Sequence, residues 1–417
     1  MATTPALRER PGDIPPPEPD LTPAEMLRRA EALRPILRER QARCEELGRL
    51  PEETNQDFLN AGFYRILQPR CFGGYEFTVT DFIRVMMEVS RGCPESGWVL
   101  SLTAGHPAAF IAAFPEQGQR EAYSNSGDCR TPGVAVPGGA AIPVPGGYRV
   151  KGSWDYCSGC DIATHFLGAL MALDPETKAP RAYVYALFDR KDYTIVDNWN
   201  MIGMQGTGSR RVVVEEMTLP AHRVLEFADA QVNVYPHHPG RDLHANALYH
   251  GPNLPLLYCE LTSVAVGTAR GALDIYEGIV RDRKWLLPPF PPRYEMPDSQ
   301  HRYGHAQGLI DTAEAALLQL GSNYAEICRR IVEDGVRQSR EDERRFLRVA
   351  QQCVQIAWDA VELMFRTGGT SSTRKDAPLG RYFKNLAVIR THITTQYDHT
   401  SINIGRLHFG VPPMSAF

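Results

Sequence analysis

The sequence predicts a mainly α-helical protein with a central β-domain. Three regions of the chain that differ in their pattern of apolar and turn-forming residues support this prediction. Apolar residues recur at helical spacing over 21–126, short alternating runs punctuated by glycine and proline fill 127–235, and long helical stretches return over 236–417. We therefore expect an N-terminal helical domain, a β-sandwich or barrel, and a C-terminal four-helix bundle.

The first twenty residues differ from all three regions. The segment 1–20 is charged and rich in proline, and it lacks the apolar core of a signal peptide. We expect it to be a disordered leader that precedes the first helix.

Composition excludes several classes of partner. The net charge is 45 − 49 = −4, and no basic stripe is interleaved with aromatic residues, so no nucleic acid is expected. The sequence contains no run of about 18 apolar residues, so no membrane-spanning helix is expected. The nine cysteines are an odd number scattered along the chain, which favours a reducing, cytoplasmic location over a disulfide framework.

The N-terminal helices follow from start signals and periodicity. Thr22 is the expected N-cap of the first helix, and Pro23 occupies its first position. Further helices fit "EETNQDFLNAGF", "TVTDFIRVMMEVSRG" and "PEQGQREAY".

The β-domain and the bundle are predicted in the same way. Runs such as "GYRVKGSWDYCSG", "RAYVYALF" and "RRVVVEEMTL" have strand length and alternation. Four long stretches then predict the bundle helices, of which the last is expected to run unbroken through "LGRYFKNLAVIRTHITTQYDHTSINIGRL".

Common catalytic motifs are missing from the sequence. It contains no GxGxxG after a strand, no HExxH and no GxSxG. Cys157 and Cys160 form a CxxC without a second ligand pair, so no metal site is expected.

Three polar residues stand out in otherwise apolar or turn-rich surroundings. His106 lies in the apolar stretch "WVLSLTAGHPAAF", Ser158 lies at a strand end in "WDYCSGC", and His392 lies on the expected last helix. Each has an alternative structural interpretation: a hydrogen-bonded core histidine, a turn serine and an exposed helix residue, respectively.

Five ordered motifs then carry a resemblance to a known family. They are "CFGGYE", "GWVLSLTAGHPAAFIAAFPEQGQREAY", "GGYRVKGSWDYCSGCDIA", "WNMIGMQGTGSRRVVVEEMTLPAHRV" and "GRYFKNLAVIRTHITTQYDHTSINIGRLHFGVPP". Together they resemble the two-component flavin-dependent monooxygenases with acyl-CoA dehydrogenase fold, a group that includes p-hydroxyphenylacetate 3-hydroxylase oxygenase components, secosteroid phenol hydroxylase and dibenzothiophene monooxygenase.

The resemblance implies an activity and assigns roles. Reduced FMN or FAD from a separate NAD(P)H:flavin reductase would react with O2 to give a C4a-hydroperoxyflavin that hydroxylates an aromatic, phenolic small molecule. His106 would polarise or deprotonate that substrate, Ser158 would hydrogen-bond near the flavin N5, and His392 would lie near the isoalloxazine ring. Trp154 and the backbone at Cys157 would line the ring.

The same resemblance implies contacts between subunits. It points to Arg281 and Trp285 after the first bundle helix, and to Gly368, Gly369, Thr370 and Ser371 before the last, as residues that approach the flavin phosphate across the interfaces of a homotetramer. Small residues let backbone amides come close to a phosphate. A plain interhelix loop is the structural alternative.

Two departures keep other functions open. Where the p-hydroxyphenylacetate hydroxylases carry a second serine that contacts the phenol, this sequence has Pro132 or Gly133. Asp398 lies where acyl-CoA dehydrogenases carry their catalytic glutamate, so a dehydrogenase or a nitroalkane-oxidase type of enzyme with Asp398 as base is the alternative. A catalytically inactive flavin-fold scaffold is the third hypothesis.

Overall fold

The computed structural model describes residues 12–229, 237–412 and 414 of the chain. Residues 1–11 of the expected leader lie outside this range. The rest of that leader is ordered, contrary to expectation, because it packs on the helical domain: the Ile14 N–H donates to the Cys71 carbonyl at 2.8 Å, and Glu18 pairs with Arg29 at 2.7 Å.

Five helices form the N-terminal region. The Thr22 hydroxyl accepts the Glu25 N–H at 3.2 Å and Pro23 begins the first helix, which confirms the predicted start. The helices are α1 (Pro23–Leu47), α2 (Glu52–Ala61), α3 (Val79–Gly92), α4 (Pro94–Ala109) and α5 (Glu116–Ala122).

Eight strands form one continuous hydrogen-bonded sheet. They are β1 (Gly133–Val134), β2 (Gly139–Val144), β3 (Gly147–Cys157), β4 (His165–Leu173), β5 (Pro180–Asp189), β6 (Thr194–Val196), β7 (Arg210–Pro220) and β8 (Val224–Asp229). The strand order is β6-β7-β3-β2-β4-β5-β8, and β1 pairs with β4. The register of β3 against β7 shifts between Trp154 and Cys157, so a bulge turns the end of β3 that precedes Ser158.

The described part of the C-terminal region forms the predicted bundle, but it contains five α-helices because the fourth predicted helix is divided in two. They are α6 (Asn253–Asp282), α7 (Pro297–Glu333), α8 (Arg340–Thr367), α9 (Pro378–Ile389) and α10 (Tyr397–His408). The fourth predicted helix therefore breaks between α9 and α10. Threonine hydroxyls there donate hydrogen bonds to carbonyl groups at the end of α9: Thr391 donates to the Val388 carbonyl at 2.8 Å and Thr395 donates to the Ile389 carbonyl at 2.9 Å. Such side-chain bonds compete with helix continuation.

Helix α4 is the most enclosed element of the site region, with fifteen of its sixteen residues buried. Two glycines allow its neighbours to come this close. A Cβ on Gly97 would lie 2.0 Å from the Ser90 hydroxyl of α3, and a Cβ on Gly105 would lie 2.0 Å from a Glu260 carboxylate oxygen of α6. The helix is thereby held between α3 and α6.

No described helix is both long and apolar enough to cross a membrane.

Asp274 ties three helices together and gives a test of the packing. The carboxylate on α6 receives two hydrogen bonds from Arg91 of α3, at 2.8 and 2.9 Å, and one from Arg38 of α1. Burial alone would raise the pKa of Asp274, but these bonds outweigh it and hold the pKa below its usual value.

We predict that Asp274→Asn lowers the free energy of unfolding by about 1–3 kcal/mol at neutral pH. A carboxyl with a lowered folded-state pKa stabilises the fold above its unfolded pKa, so the wild-type advantage shrinks as pH falls below roughly 4. Thermal unfolding at several pH values measures this effect. Glu326→Gln, which removes an exposed ion pair to Arg329, is the control and should change little. Equal melting temperatures for Asp274→Asn and wild type at neutral pH would contradict the prediction.

Candidate active site

Ser158 is the centre of a buried hydroxyl chain. It follows β3 directly, and its hydroxyl oxygen accepts the indole N–H of Trp98 at 2.9 Å. The Ser209 hydroxyl lies 2.7 Å from it, and the Thr207 hydroxyl lies 2.6 Å from Ser209. Helix α4 and the turn before β7 therefore meet at Ser158.

The hydrogen bonds of Thr207, at one end of the hydroxyl chain, fix which hydroxyl donates and which accepts at each step. Thr207 donates its hydrogen to the Met204 carbonyl at 2.8 Å, since a carbonyl only accepts. Ser209 then donates to Thr207, and Ser158 donates to Ser209. Because Ser158 already accepts from Trp98, its hydroxyl retains one lone pair, and that lone pair suits a ligand that donates an N–H or O–H.

The turn that carries this chain is held from two sides. The Gly206 N–H donates to the buried Glu95 carboxyl of α4 at 2.8 Å, and the Met204 N–H donates to the Asn385 side chain of α9 at 2.7 Å. Gly206 has no room for a side chain, because a Cβ would lie 2.3 Å from the Cys44 sulfur. The position of Ser209 is thus set by α1, α4 and α9.

One described group of side chains meets the spacing of a metal site. The potential ligand atoms of Cys44, Cys93 and Glu95 all lie within 4.8 Å of one another. The Cys44 thiol has one hydrogen to donate, and the carbonyl oxygens of Arg49 and Gly206 both lie 3.6 Å from its sulfur. Glu95 accepts from the Gly206 N–H. A metal at this place would require both thiols to ionise.

His392 lies in the break between α9 and α10, not on a helix as predicted. Its Nδ1 accepts the Thr394 N–H at 3.3 Å and lies 2.8 Å from the Thr394 hydroxyl. The hydrogen of a neutral ring is therefore on Nε2. Burial lowers the pKa of His392 to about 4. Its ring meets the Trp98 ring edge-on, with centroids 5.5 Å apart, so Trp98 connects His392 to Ser158.

His106 lies two turns further along α4 and is buried. Its Nδ1 donates to the Thr131 carbonyl at 3.1 Å, which leaves Nε2 as the acceptor of the neutral ring. Nε2 lies 3.7 Å from a carboxylate oxygen of Glu260. Burial lowers the pKa of His106 to about 4, against a smaller raising effect of the Thr131 bond. The ring is thus neutral near pH 7.

Trp154, which was expected to line the ring of a cofactor, lies elsewhere. The Trp154 ring faces the core of the β-domain, where its N–H donates to Ala169 at 2.7 Å and its ring meets Phe166 at 5.2 Å. The Cys157 side chain is buried in the same core, and the expected contact of its backbone with the ring stays a prediction. The aromatic residue that reaches the surface beside Ser158 is Tyr156, which is 67% exposed. The expected role of Trp154 is therefore corrected, because the bulge in β3 changes which side chains face outward.

Within this chain, the segment 368–371 is contacted by Arg283, whereas the expected contacts of Arg281 and of the segment with a flavin phosphate across subunits stay predictions. Arg281 is 70% exposed and pairs with a glutamate one turn earlier on α6. Arg283, just after α6, donates to the Gly368 carbonyl at 3.3 Å and to the Ser371 hydroxyl at 2.5 Å. Trp285 is half-buried, and its backbone N–H donates to Pro291 at 2.7 Å. The helix ends at Asp282, and Arg283, the next residue, reaches back to the segment, whereas Arg281 does not.

Other features lie apart from these groups. Asp398 is exposed in the first turn of α10. A surface depression of about 820 Å³ contains none of the predicted site residues. It is lined by charged residues of α5 and the β-domain, among them Glu116, Arg120, His165, Asp189 and Arg223.

Comparison with known proteins gives the following matches. Residues 26–126 match the family model "Acyl-CoA dehydrogenase, N-terminal domain" and residues 260–397 match "Acyl-CoA dehydrogenase, C-terminal domain". The chain is 30% identical to the flavin-dependent monooxygenase, oxygenase subunit HsaA, of Rhodococcus jostii, over 93% of this chain and 98% of that protein.

Two further matches agree with these. The chain is 28% identical to the oxygenase component of an FADH2-dependent resorcinol hydroxylase of a Rhizobium species, over 92% of this chain and 93% of that protein. The crystal structure of the HsaA monooxygenase from Mycobacterium tuberculosis superposes with a TM-score of 0.85, at 25% identity, over 95% of this chain and 99% of that one.

The two site histidines are predicted to be neutral with opposite tautomers. His106 carries its hydrogen on Nδ1 because Nδ1 donates to a carbonyl, and His392 carries it on Nε2 because Nδ1 accepts a backbone N–H. Magic-angle-spinning NMR of protein labelled with ¹⁵N-histidine at pH 7 measures both states, with His106→Gln and His392→Gln used for assignment. The same tautomer at both positions, or a protonated ring at either, would contradict the geometry.

Proposed function

The chain belongs to the oxygenase components of flavin-dependent monooxygenases with acyl-CoA dehydrogenase fold, and on that premise we propose that it hydroxylates a phenolic small molecule. Its cofactor is a reduced flavin, and O2 is the co-substrate. The observation that carries the proposal is the hydroxyl chain that leaves Ser158 with one lone pair, on a site that also holds two neutral histidines, His392 against the Trp98 ring and His106 further along α4. A resorcinol hydroxylase among the relatives supports a phenolic substrate.

The residues beside Ser158 fit a reduced flavin. The remaining lone pair of Ser158 is an acceptor, and the N5 of a reduced flavin carries an N–H that would donate to it. The exposed ring of Tyr156, two residues earlier, and the Trp199 ring that meets it at 6.1 Å offer apolar surface for an aromatic ring system. When bound, the reduced flavin would supply the two electrons that activate O2, which is the source of the inserted oxygen atom.

The side chains around Ser158 would perform three tasks in the reaction. Ser158, kept as an acceptor by Ser209, holds a proton at N5. Trp98 and His392 close one side of the site with apolar ring surface, which excludes water from the reacting atoms. His106 presents Nε2 as an acceptor for the hydroxyl of the substrate, and the phenolate formed is the more reactive nucleophile.

A separate reductase and a homotetramer complete the proposal. The sequence has no dinucleotide-binding fingerprint, so reduced flavin would come from an NAD(P)H:flavin reductase. Leu286, Leu287 and Phe290, which follow Arg283, are 89%, 64% and 52% exposed. An exposed apolar cluster of this kind is typical of a subunit contact. It adjoins the segment 368–371, which supports a role of this region at the flavin of a neighbouring subunit.

The proposed reaction predicts that Ser158→Ala and Ser209→Ala uncouple oxygen consumption from hydroxylation. The first removes the acceptor, and the second frees the Ser158 hydrogen to turn toward the cofactor. Losing one such bond, worth about 1 kcal/mol, changes a rate roughly 5–10-fold. With a flavin reductase, NADH, ¹⁸O2 and a panel of phenols, we expect wild type to give singly labelled product and both variants to give more hydrogen peroxide.

Ser153→Ala, on the exposed face of β3, is the control and should remain coupled. Wild-type protein that yields no labelled product from any phenol would contradict the substrate class. Unchanged coupling in Ser158→Ala would remove that residue from the site. Consumption of NADH by the chain with free flavin alone would contradict the need for a reductase.

The assembly is tested by placing a charge in the exposed apolar cluster. We expect Leu286→Glu to convert a tetramer into smaller species in light scattering and to weaken retention of reduced flavin, since an unpaired charge is costly to bury in an interface. Val136→Glu, at another exposed apolar position, should leave the assembly intact. A wild-type monomer that still binds reduced flavin tightly would rule out the proposed arrangement.

A further inference from the structure

Glu260 is a buried acid to which the reaction so far gives no role. It lies within α6 with its side chain completely buried, and neither carboxylate oxygen has a hydrogen-bond partner among the described residues. An acid without partners in such a place is costly and is retained for a reason other than stability. Burial raises the pKa of Glu260 well above its usual value.

The packing of α4 on α6 aims this carboxyl at His106. One oxygen occupies the space left by the missing side chain of Gly105, where a Cβ would lie 2.0 Å away. The other oxygen lies 3.7 Å from His106 Nε2. The Glu260 carbonyl accepts hydroxyl hydrogens from Ser101 of α4 and Ser263 of α6, at 3.0 and 2.6 Å, so the two helices are joined at this residue.

Few other titratable groups face the pair. The Nδ1 of His106 is committed to the Thr131 carbonyl, so Nε2 is the ring atom that exchanges a proton. Burial and, to a smaller extent, the nearby Glu260 raise the pKa of the Cys259 thiol on α6. Within the described residues, burial is the one influence on the pKa of Glu260, and no cation neutralises it.

We propose that Glu260 is the proton partner of His106, so that the two side chains take up the proton of the substrate hydroxyl as one unit. This inference rests on the proposed function and deepens it. His106 is the catalytic residue because it meets the substrate, whereas Glu260 acts through His106 and is a positioning residue. The pair would suit a neutral phenol, which brings its own proton into the site.

The proton balance of the step is simple. The O–H bond of the substrate breaks, its electron pair stays on the oxygen, and an N–H bond forms at His106 Nε2. The carboxylate of Glu260 faces that new N–H, offsets the positive ring, and can take the proton to become a carboxylic acid. No electron moves in this step, and no further reactant is needed.

The pair therefore makes hydroxylation depend on pH. Below the raised pKa of Glu260 the side chain is a carboxylic acid, whose hydrogen faces Nε2 and opposes uptake of the substrate proton. Above that pKa the carboxylate stabilises the protonated ring. The rate should rise with pH as Glu260 ionises, and Glu260→Gln should remove this rise, since an amide does not ionise.

The first experiment needs neither flavin nor substrate. In ¹⁵N-histidine-labelled protein, the His106 ring signals are followed against pH in wild type, in Glu260→Gln and in Glu343→Gln. Glu343 of α8 is the matched control, a glutamate whose pKa burial also raises. We expect a titration step at His106 above the usual glutamate range of roughly 4–5 in wild type and Glu343→Gln, and its loss in Glu260→Gln. Identical titrations in all three proteins would overturn the proposal.

The second experiment measures hydroxylation rates against pH with the same proteins and with Glu260→Asp. We expect the rising limb to be lost and the alkaline rate to fall roughly 10²-fold in Glu260→Gln, the lower end for loss of a proton acceptor. Glu260→Asp should restore part of the limb. A wild-type pH profile retained by Glu260→Gln would exclude Glu260 from the step. If wild type hydroxylates no phenol, the proposed function fails, while the ring titration still decides whether the pair exists.

Discussion

Burial of α4 is the constraint on which the site depends. The helix contributes Glu95, which holds the turn before β7, then Trp98, which donates to Ser158, and then His106, which faces Glu260. Because α4 is enclosed by its neighbours, these side chains reach three different parts of the fold. Glu95 and Trp98 contact the β-domain, the Trp98 ring also meets the break after α9, and His106 faces α6. Gly97 and Gly105 make the enclosure possible, since any side chain at either position would overlap a neighbouring helix. A shift of α4 would therefore disturb every part of the site together.

The same enclosure determines the electrostatics. Burial lowers the pKa of His106 and of His392 to about 4 and raises that of Glu260 and Glu95. The two histidines are therefore neutral near pH 7, and burial favours the neutral form of the two carboxyl groups as well. Such a site excludes water and fixes the positions of its hydrogens while carrying little charge. This arrangement suits a reaction in which a proton must be held at one place and removed at another.

Some of the structure could be predicted from the sequence, and some could not. The Thr22 cap and three bundle helices follow from local pattern. The break after α9 does not, because threonine hydroxyls rather than glycine or proline end that helix. The expected role of Trp154 is wrong because of the bulge in β3, which exposes Tyr156 instead, and alternation alone does not show where the register shifts. Glu260 was visible as a single acid in the apolar run "LLYCELTSVAV", but only the tertiary fold sets it against His106.

The most direct test of the account is a crystal structure of the protein with reduced flavin, grown without oxygen. We expect a flavin whose N5 faces the Ser158 hydroxyl, with Tyr156 and Trp199 along the ring system and Ser158 still bonded to Trp98 and Ser209. A flavin bound away from Ser158, or one that displaces Trp98 from Ser158, would contradict the claim that burial of α4 prepares the site.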